Sequence, residues 1–309
     1  MRPTIEHIAC QHLDTDIKAE LVFVDNASTD GSADFVRLLW NELQTAVELH
    51  IVKEERPGLI YARECGVNVA RGEFIIFCDD DNWLRDDYLQ TAYVLMNQMP
   101  NVGVLGGQSV LAPGITAPEW WEEQKGNYAV GRQLPASGLA NKRGYLYGAG
   151  LVTRTELARK IFDNRFPFLL TGRKGNQCLS GEDGEYCKRV IILGYDLYYS
   201  EELFYWHDVA PERLTWEQLQ KLLQSFYACD TVSKKYAYAL RYVRQGRFGH
   251  FVWLFVRIWN SIFASSNNRS RKKELLYFHM YMLGLVYTKD FELDVICRFM
   301  SYSKKHKIV

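Results

Sequence analysis

Over residues 1–112 the apolar residues keep changing their spacing, from helical periodicity to the short buried runs of strands, with only brief polar links between. "IEHIACQHL" reads as a short amphipathic helix, and "AELVFVDNASTDGS" as a buried strand breaking into a polar turn. "ADFVRLLWNEL" reads as a helix, "VELHIVKEE" a strand, "GLIYARECGVNVA" a helix, "GEFIIFCDDD" a strand, "DDYLQTAYVLMNQM" a helix and "VGVLGGQSVL" a strand. Strand and helix in alternation with short connections predict an α/β fold, a doubly wound, mostly parallel sheet flanked by helices. In such sheets ligands sit outside the carboxyl ends of the strands. Two polar clusters fall at those ends: "DNASTD" after Leu21–Val24, and "DDDN" after Phe74–Phe77.

The rhythm breaks at residues 113–147, where Pro113, Pro118, Pro135, several glycines and the pair Trp120–Trp121 predict long loops over the sheet. The strand "AGLVTR" and the helix "TELARKIF" follow. Next come the polar loop "TGRKGNQCLSGED", the helix "GEYCKRVIILG" and the strand "YDLYYS". From Leu214 the chain turns helical: Thr215 with Gln218 forms a capping-box pattern, and Leu214 with Leu219 a staple. These features divide the chain into a domain over 1–213, in two parts, 1–112 and 113–213, and a C-terminal helical extension over 214–309.

Lys+Arg and Asp+Glu number 37 each, so the basic excess of a nucleic-acid binder is absent and no nucleic-acid partner is expected. Seven cysteines, an odd number without C-x-x-C pairs, suit a reducing compartment. The opening "MRPTIEHIACQHLDTD" has no apolar core of the signal-peptide kind, which points to the cytoplasm. Two apolar stretches, Phe251–Phe263 and Leu275–Tyr287, fall short of the ~20 residues that span a bilayer. Between them "NNRSRKKE" carries Arg269, Arg271, Lys272 and Lys273. Two readings stand: membrane-surface contact through residues 248–287, peripheral on the inner face of the cytoplasmic membrane, or a helical hairpin packed on protein.

Asp79, Asp80 and Asp81 end a strand that is itself apolar. Were the strand to continue, Asp79 and Asp81 would share one face and Asp80 the other. Two carboxylates ~4 Å apart repel by about 4 kcal/mol at an effective dielectric of 20. A hard divalent cation, Mn²⁺ or Mg²⁺, offsets that cost and takes its other ligands from the phosphates of a substrate. The competing reading is an acidic turn in which Asp81 or Asn82 caps the next helix. Asp25 closes the strand "LVFV" and can accept a hydrogen bond from a pyrimidine imide, while Asp30 is expected to cap the following helix. Glu182 and Asp183 enter a helix, as dipole-favoured acids or as a general base beside an acceptor hydroxyl. His207, ending "LFYWH", is a candidate third metal ligand or a histidine at the edge of the core.

The segments "VFVDNASTDGS", "PGLIYARECGVNVARGEFIIFCDDDN", "YGAGLVTRTEL" and "GEDGEYCKRVIILGYDLYYSEEL" occur in an order and spacing that resemble family 2 glycosyltransferases of the GT-A fold, over roughly residues 1–212. The resemblance implies inverting transfer of a sugar from a nucleotide diphosphate, often UDP-linked, to an acceptor hydroxyl of a glycan or lipid-linked acceptor, in surface polysaccharide or other glycan assembly. It implies Asp25 as the base-binding aspartate and Arg63 as a residue of the helix bordering the donor pocket. It implies Asp79 and Asp81 as the D-x-D, with Asp81 the direct metal ligand, Asp79 nearer the ribose and Asp80 between them on the donor side. Asp183 matches the base of the family's E-D pair, beside Glu182. Gly148, Ala149 and Gly150 resemble the small-residue turn near the reacting sugar. Trp120, Trp121 and Tyr145 are expected either to form an apolar platform for the acceptor or to pack in the core.

One departure bears on activity. Members of the family open with a buried strand ending in a "P-T-Y-N"-like turn, and "MRPTIEHIACQHL" begins at the far edge of that turn. A late-assigned start or a truncation is the expectation, and a non-catalytic binding module is the alternative to an enzyme. A nucleotidyltransferase would carry a Gly-rich basic loop near its N-terminus, and a hydrolase a G-x-S-x-G or H-E-x-x-H motif; neither is present.

Overall fold

The computed structural model describes residues 1–174, 177–178, 180–262 and 290–306. Its first elements are α1 (Arg2–Ala9), β1 (Glu20–Asn26), α2 (Ser32–Leu43), β2 (Glu48–Glu54), α3 (Leu59–Val69), β3 (Phe74–Phe77), β4 (Asn82–Leu84), α4 (Tyr88–Gln98) and β5 (Val102–Leu111). The loop-rich stretch that follows holds only α5 (Trp121–Gln124), a 3₁₀ turn and β6 (Gly138–Leu139). Then come β7 (Leu151–Arg154), α6 (Thr155–Ile161), the hairpin β8 (Arg173–Lys174) and β9 (Gln177–Cys178), α7 (Glu182–Ile192) and β10 (Asp196–His207). Among the described residues two C-terminal helices follow, α8 (Trp216–Ile262) and α9 (Phe291–His306).

The sheet is in two pieces. β1 and β2 form a parallel pair of their own, while the main sheet runs β3-β7-β5-β10-β4, with β6 paired to β10. β10 is parallel to β5, and β7 is antiparallel to both β3 and β5, so β3, β5 and β10 point the same way. The α/β class is as expected, but the sheet is mixed, with reversed strands β7 and β4 set among the parallel ones. The runs "YDLYYS" and "LFYWH" are a single strand, β10, irregular between Tyr199 and Phe204.

Neighbouring residues on the inner strands feed opposite faces, as the pleat requires. Val104 and Leu151 belong to a core with α3, α6 and α7; Leu105 and Val152 belong to a second core with α1, α2 and α4. The first core continues into the C-terminal helices through Val232 and Tyr236 on α8 and Ile296 and Phe299 on α9. At its centre Arg189 and Glu185, both fully buried, pair at 2.7 Å. The Tyr236 hydroxyl donates to Glu185 Oε1 at 2.8 Å and accepts from Arg189 Nε at 3.0 Å. Glu185 also accepts the backbone N–H groups of Leu169 and Leu170, so this buried charge is fully partnered.

α8 starts where the capping pattern placed it: the Gln218 N–H donates to Thr215 Oγ1 at 3.3 Å, and Leu219 is buried beside Leu214. Among the described residues no helix is long and apolar enough to cross a membrane. The stretch from Phe251 runs within α8. Its last residue, Phe263, the basic segment and Leu275–Tyr287 lie outside the described residues.

Candidate active site

β3 ends at Phe77, so the three aspartates do not continue a strand and do not alternate faces. They occupy a tight turn into β4, where Asn82 N–H donates to the Asp79 carbonyl at 3.1 Å and Asn82 Oδ1 accepts from Asp79 N–H at 3.3 Å. The stretch expected to open the next helix instead contains β4, and α4 begins only at Tyr88. This turn splays the carboxylates toward different partners. Asp81 takes Asn82 Nδ2 at 3.0 Å and Arg213 Nη1 at 3.0 Å, with His207 Nε2 3.3 Å away. Asp79 lies 3.7 Å from Arg63 Nη2. Asp80 turns its carbonyl to the Thr4 hydroxyl, which donates at 2.7 Å.

Arg63 joins the two acidic clusters. Its side chain, 9% exposed on α3, sits over the Phe77 ring and donates to Asp183 Oδ1 at 2.5 Å. Asp183 Oδ2 accepts the Gly148 N–H at 2.9 Å. A Cβ at Gly148 would lie 2.1 Å from the Asp183 carboxylate, so only glycine lets the loop approach the acid this closely. Gly150, at φ +68, is held by the Tyr88 hydroxyl, which donates to its carbonyl at 2.5 Å.

The electrostatics follow from this packing. Although 38% of the Asp79 side chain opens into the site, the surrounding protein raises its pKa, and Arg63 opposes the rise. Burial, then the neighbouring Asp183, push the Glu182 carboxyl up to about 7, and its Oε2 is buried without a hydrogen-bond partner.

Asp79, Asp81, Arg63, Asp183, Gly148 and Arg213 line one cavity of about 1120 Å³. Asp80, Ala149, Glu182 and His207 lie on its wall as well. Gly150 supports the turn from behind. Asp25 stands at the margin: its carboxylate accepts the Ser28 N–H at 2.9 Å, and Asn26 lines the cavity in its place. Asp30 accepts from Ser32, the first residue of α2, at 3.0 Å.

Trp120 and Trp121 are brought elsewhere. Trp121 is buried with Tyr128, Val209 and Leu219, Trp120 packs on that group, and neither lines the cavity, so the aromatic platform expected of the pair is core packing. Tyr145, 41% exposed, does line the cavity. Arg213 was not picked out from the sequence. The only signal for it was a cation six residues beyond His207, in "HDVAPER".

Among the described residues no three metal-ligating side chains converge. The Asp79–Asp81 pair nonetheless suits Mg²⁺ or Mn²⁺, which bind through one or two carboxylates and take their remaining ligands from phosphate and water. His207 fits less well. A ligating imidazole usually has its second nitrogen held by a partner, and His207 Nδ1 is buried without one. In this geometry His207 is a polar neighbour of Asp81.

A model of the family described as glycosyl transferase family 2 matches residues 1–162, more than half of the chain. The chain belongs to glycosyl transferase family 2. This family 2 chain is 30% identical over 90 residues to the putative glycosyltransferase EpsH of Bacillus subtilis, which covers 29% of the chain and 24% of EpsH. It is 25% identical over 198 residues to the glycosyltransferase AglE of Haloferax volcanii, covering 63% of the chain and 58% of AglE. The chain thus spans less than two thirds of these relatives' lengths. The fold matches the S. aureus TarS 1–349 structure with UDP at 16% identity and a TM-score of 0.50, covering 99% of this chain and 87% of that one. The central sheet flanked by helices is of the GT-A type, with a helical C-terminal region.

Proposed function

We propose that the chain is an inverting, metal-dependent glycosyltransferase that takes a sugar from a nucleotide diphosphate, most simply UDP, to a hydroxyl of a glycan or lipid-linked acceptor in surface-glycan assembly. One observation carries the reading: Arg63 gathers Asp79 and Asp183 around a cavity at the carboxyl end of β3, with the Asp81 turn beside them. Asp183 is the base. As the acceptor oxygen forms its bond to the anomeric carbon, the bond from that carbon to the diphosphate oxygen breaks, and the acceptor proton passes to Asp183. Asp79 and Asp81 would hold a divalent ion, which when bound would supply Lewis-acid stabilisation of the diphosphate. Asn82 and Arg213 orient Asp81, Gly148 N–H orients Asp183, Ala149 leaves room for the sugar ring, and Asp25 faces the base from the margin of the cavity.

The reading is tested by thermal unfolding with UDP, GDP, dTDP or CMP, each with and without Mn²⁺. One nucleotide should stabilise the chain in a metal-dependent way, by ~2.7 kcal/mol at 100 times its dissociation constant, and Asp81→Ala should lose the effect. Free nucleoside diphosphate with a new glycoside of inverted anomeric configuration completes the case. Pyrophosphate would identify a nucleotidyltransferase instead. The two-piece sheet favours a second reading, a non-catalytic binding module, and stabilisation by nucleotide without turnover would support it.

A further inference from the structure

Lys188 is a cation on the cavity wall that no acid among the described residues answers. It is half-buried on α7, and its Nζ donates only to the Gly184 carbonyl, at 3.2 Å. Glu185 on the same helix is already held by Arg189, Tyr236 and two backbone N–H groups. Asp183, Asp79 and Glu182 crowd Arg63 instead. Burial lowers the Lys188 pKa, so its ammonium is kept at a cost that a bound anion would offset.

The lysine side chain runs back toward the start of α7, so its ammonium stands at the level of Gly184, the residue next to Asp183. A Cβ at Gly184 would lie 3.1 Å from Lys188 Nζ and 4.0 Å from Tyr145 Cβ, so the ammonium and the tyrosine share one patch of wall beside Asp183. Tyr145 is held there by its neighbours. Arg143 Cζ lies 4.2 Å from the centre of its ring, and Arg143 Nη1 donates to the Gln133 carbonyl at 2.9 Å. Gln133 is buried, accepts the Tyr147 N–H at 2.8 Å and donates to the Gly107 carbonyl at 2.8 Å. Arg143 Nε is buried without a hydrogen-bond partner, and among the described residues Arg143 pairs with no acid. Tyr145 thus carries a second unanswered cation at its ring, on a loop fixed by a buried side chain.

We propose that Lys188 and Tyr145 form the subsite for an anionic acceptor, the ammonium pairing with a carboxylate or phosphate on the sugar residue that bears the reacting hydroxyl or on the residue joined to it. The proposal rests on the glycosyltransferase reading above and adds to it the charge of the acceptor. Tyr145 gives the sugar an aromatic surface, and Arg143 adds positive potential to it. Asp183 repels an anion while Lys188 attracts it, so the pair fixes which end of the acceptor faces the carboxylate: the charge goes to the ammonium and a neighbouring hydroxyl to Asp183. A neutral acceptor leaves the ammonium desolvated and unanswered, which selects against it.

Ligand-observed NMR titration of the whole chain, with and without UDP and Mn²⁺, tests it. The probes are the methyl glycosides of glucose, galactose and mannose, each as the neutral sugar, the 6-carboxylate and the 6-phosphate. At least one charged probe should bind more tightly than its neutral counterpart by about tenfold or more, the scale of one charge-assisted contact, and whichever charged series does so names the group. Lys188→Gln should bring that probe to the affinity of the neutral sugar, and Lys188→Arg should keep most of the preference, with melting temperatures showing that both variants are folded. Equal binding of charged and neutral probes overturns the proposal, as does no binding of any, or a preference that survives Lys188→Gln. A loss in Lys188→Gln that is equal for charged and neutral probes marks a structural role and overturns it too. The nucleotide arm of the thermal test reads separately: no stabilisation by any nucleotide sinks the glycosyltransferase reading, whereas this titration decides only the charge of the acceptor.

Discussion

Arg63 holds two acids that lie 104 residues apart in the chain, and no local pattern announces the pairing. The acids themselves were legible, because carboxylates crowded after an apolar run are too costly to be incidental. Which cation answered them was not, since Arg63 and Arg213 reach the aspartates only through tertiary folding. Asp183→Asn should lower turnover by ~10²–10⁴-fold, the usual contribution of a general base, while nucleotide-dependent stabilisation persists in the same preparation. Gly148→Ala should remove activity by forcing the acid off its N–H partner, with far-ultraviolet dichroism unchanged. Glu182 gives a pH signature. Its folded pKa of about 7 exceeds the ordinary 4.5, so between these values the native chain binds more protons than the unfolded one. Stability should therefore fall as pH rises through that window and level off above it, by on the order of 3 kcal/mol. Glu182→Gln should remove most of the slope in melting temperature against pH, leaving a residue from Asp79, whose pKa burial also raises.

The helices and strands of the first 112 residues were legible because each carries its own period, and the hydrophobic faces agree with it. β4 was not, because three residues are too short to show a period, and "DDNWL" looks equally like a helix entry. The reversal of β7 also escaped notice, since strand direction is set by where a chain returns and not by its side chains. The Trp120–Trp121 pair shows the same limit: an aromatic platform and an aromatic core have one composition, and burial against Tyr128 and Leu219 decides between them. At this scale the strongest fastening is Glu185–Arg189–Tyr236, which ties α7 to α8. Tyr236→Phe leaves two buried partners short of a hydrogen bond and should cost about 1–3 kcal/mol in urea unfolding. Glu185→Ala strands the buried Arg189 charge and should cost about 3–5 kcal/mol.

For the whole molecule, the change of composition near residue 214 suggested a boundary, yet the core runs through it: Val232, Tyr236, Ile296 and Phe299 pack with residues of α3, α6 and α7. A fragment of residues 1–213 would expose that surface to water and should unfold without a cooperative transition in calorimetry, where the full chain shows one. The division of the sheet into two pieces, with β1 and β2 apart from the main sheet, emerged only in three dimensions. The fastening of α7 to α8 has a further consequence. Asp183 stands in the first turn of the helix whose later turns are gripped by the C-terminal arm. The arm is thus a lever with its short end at the Asp183 carboxylate. If Asp183 is the base proposed above, a change made far out on the arm should be felt first in turnover and only later in donor affinity.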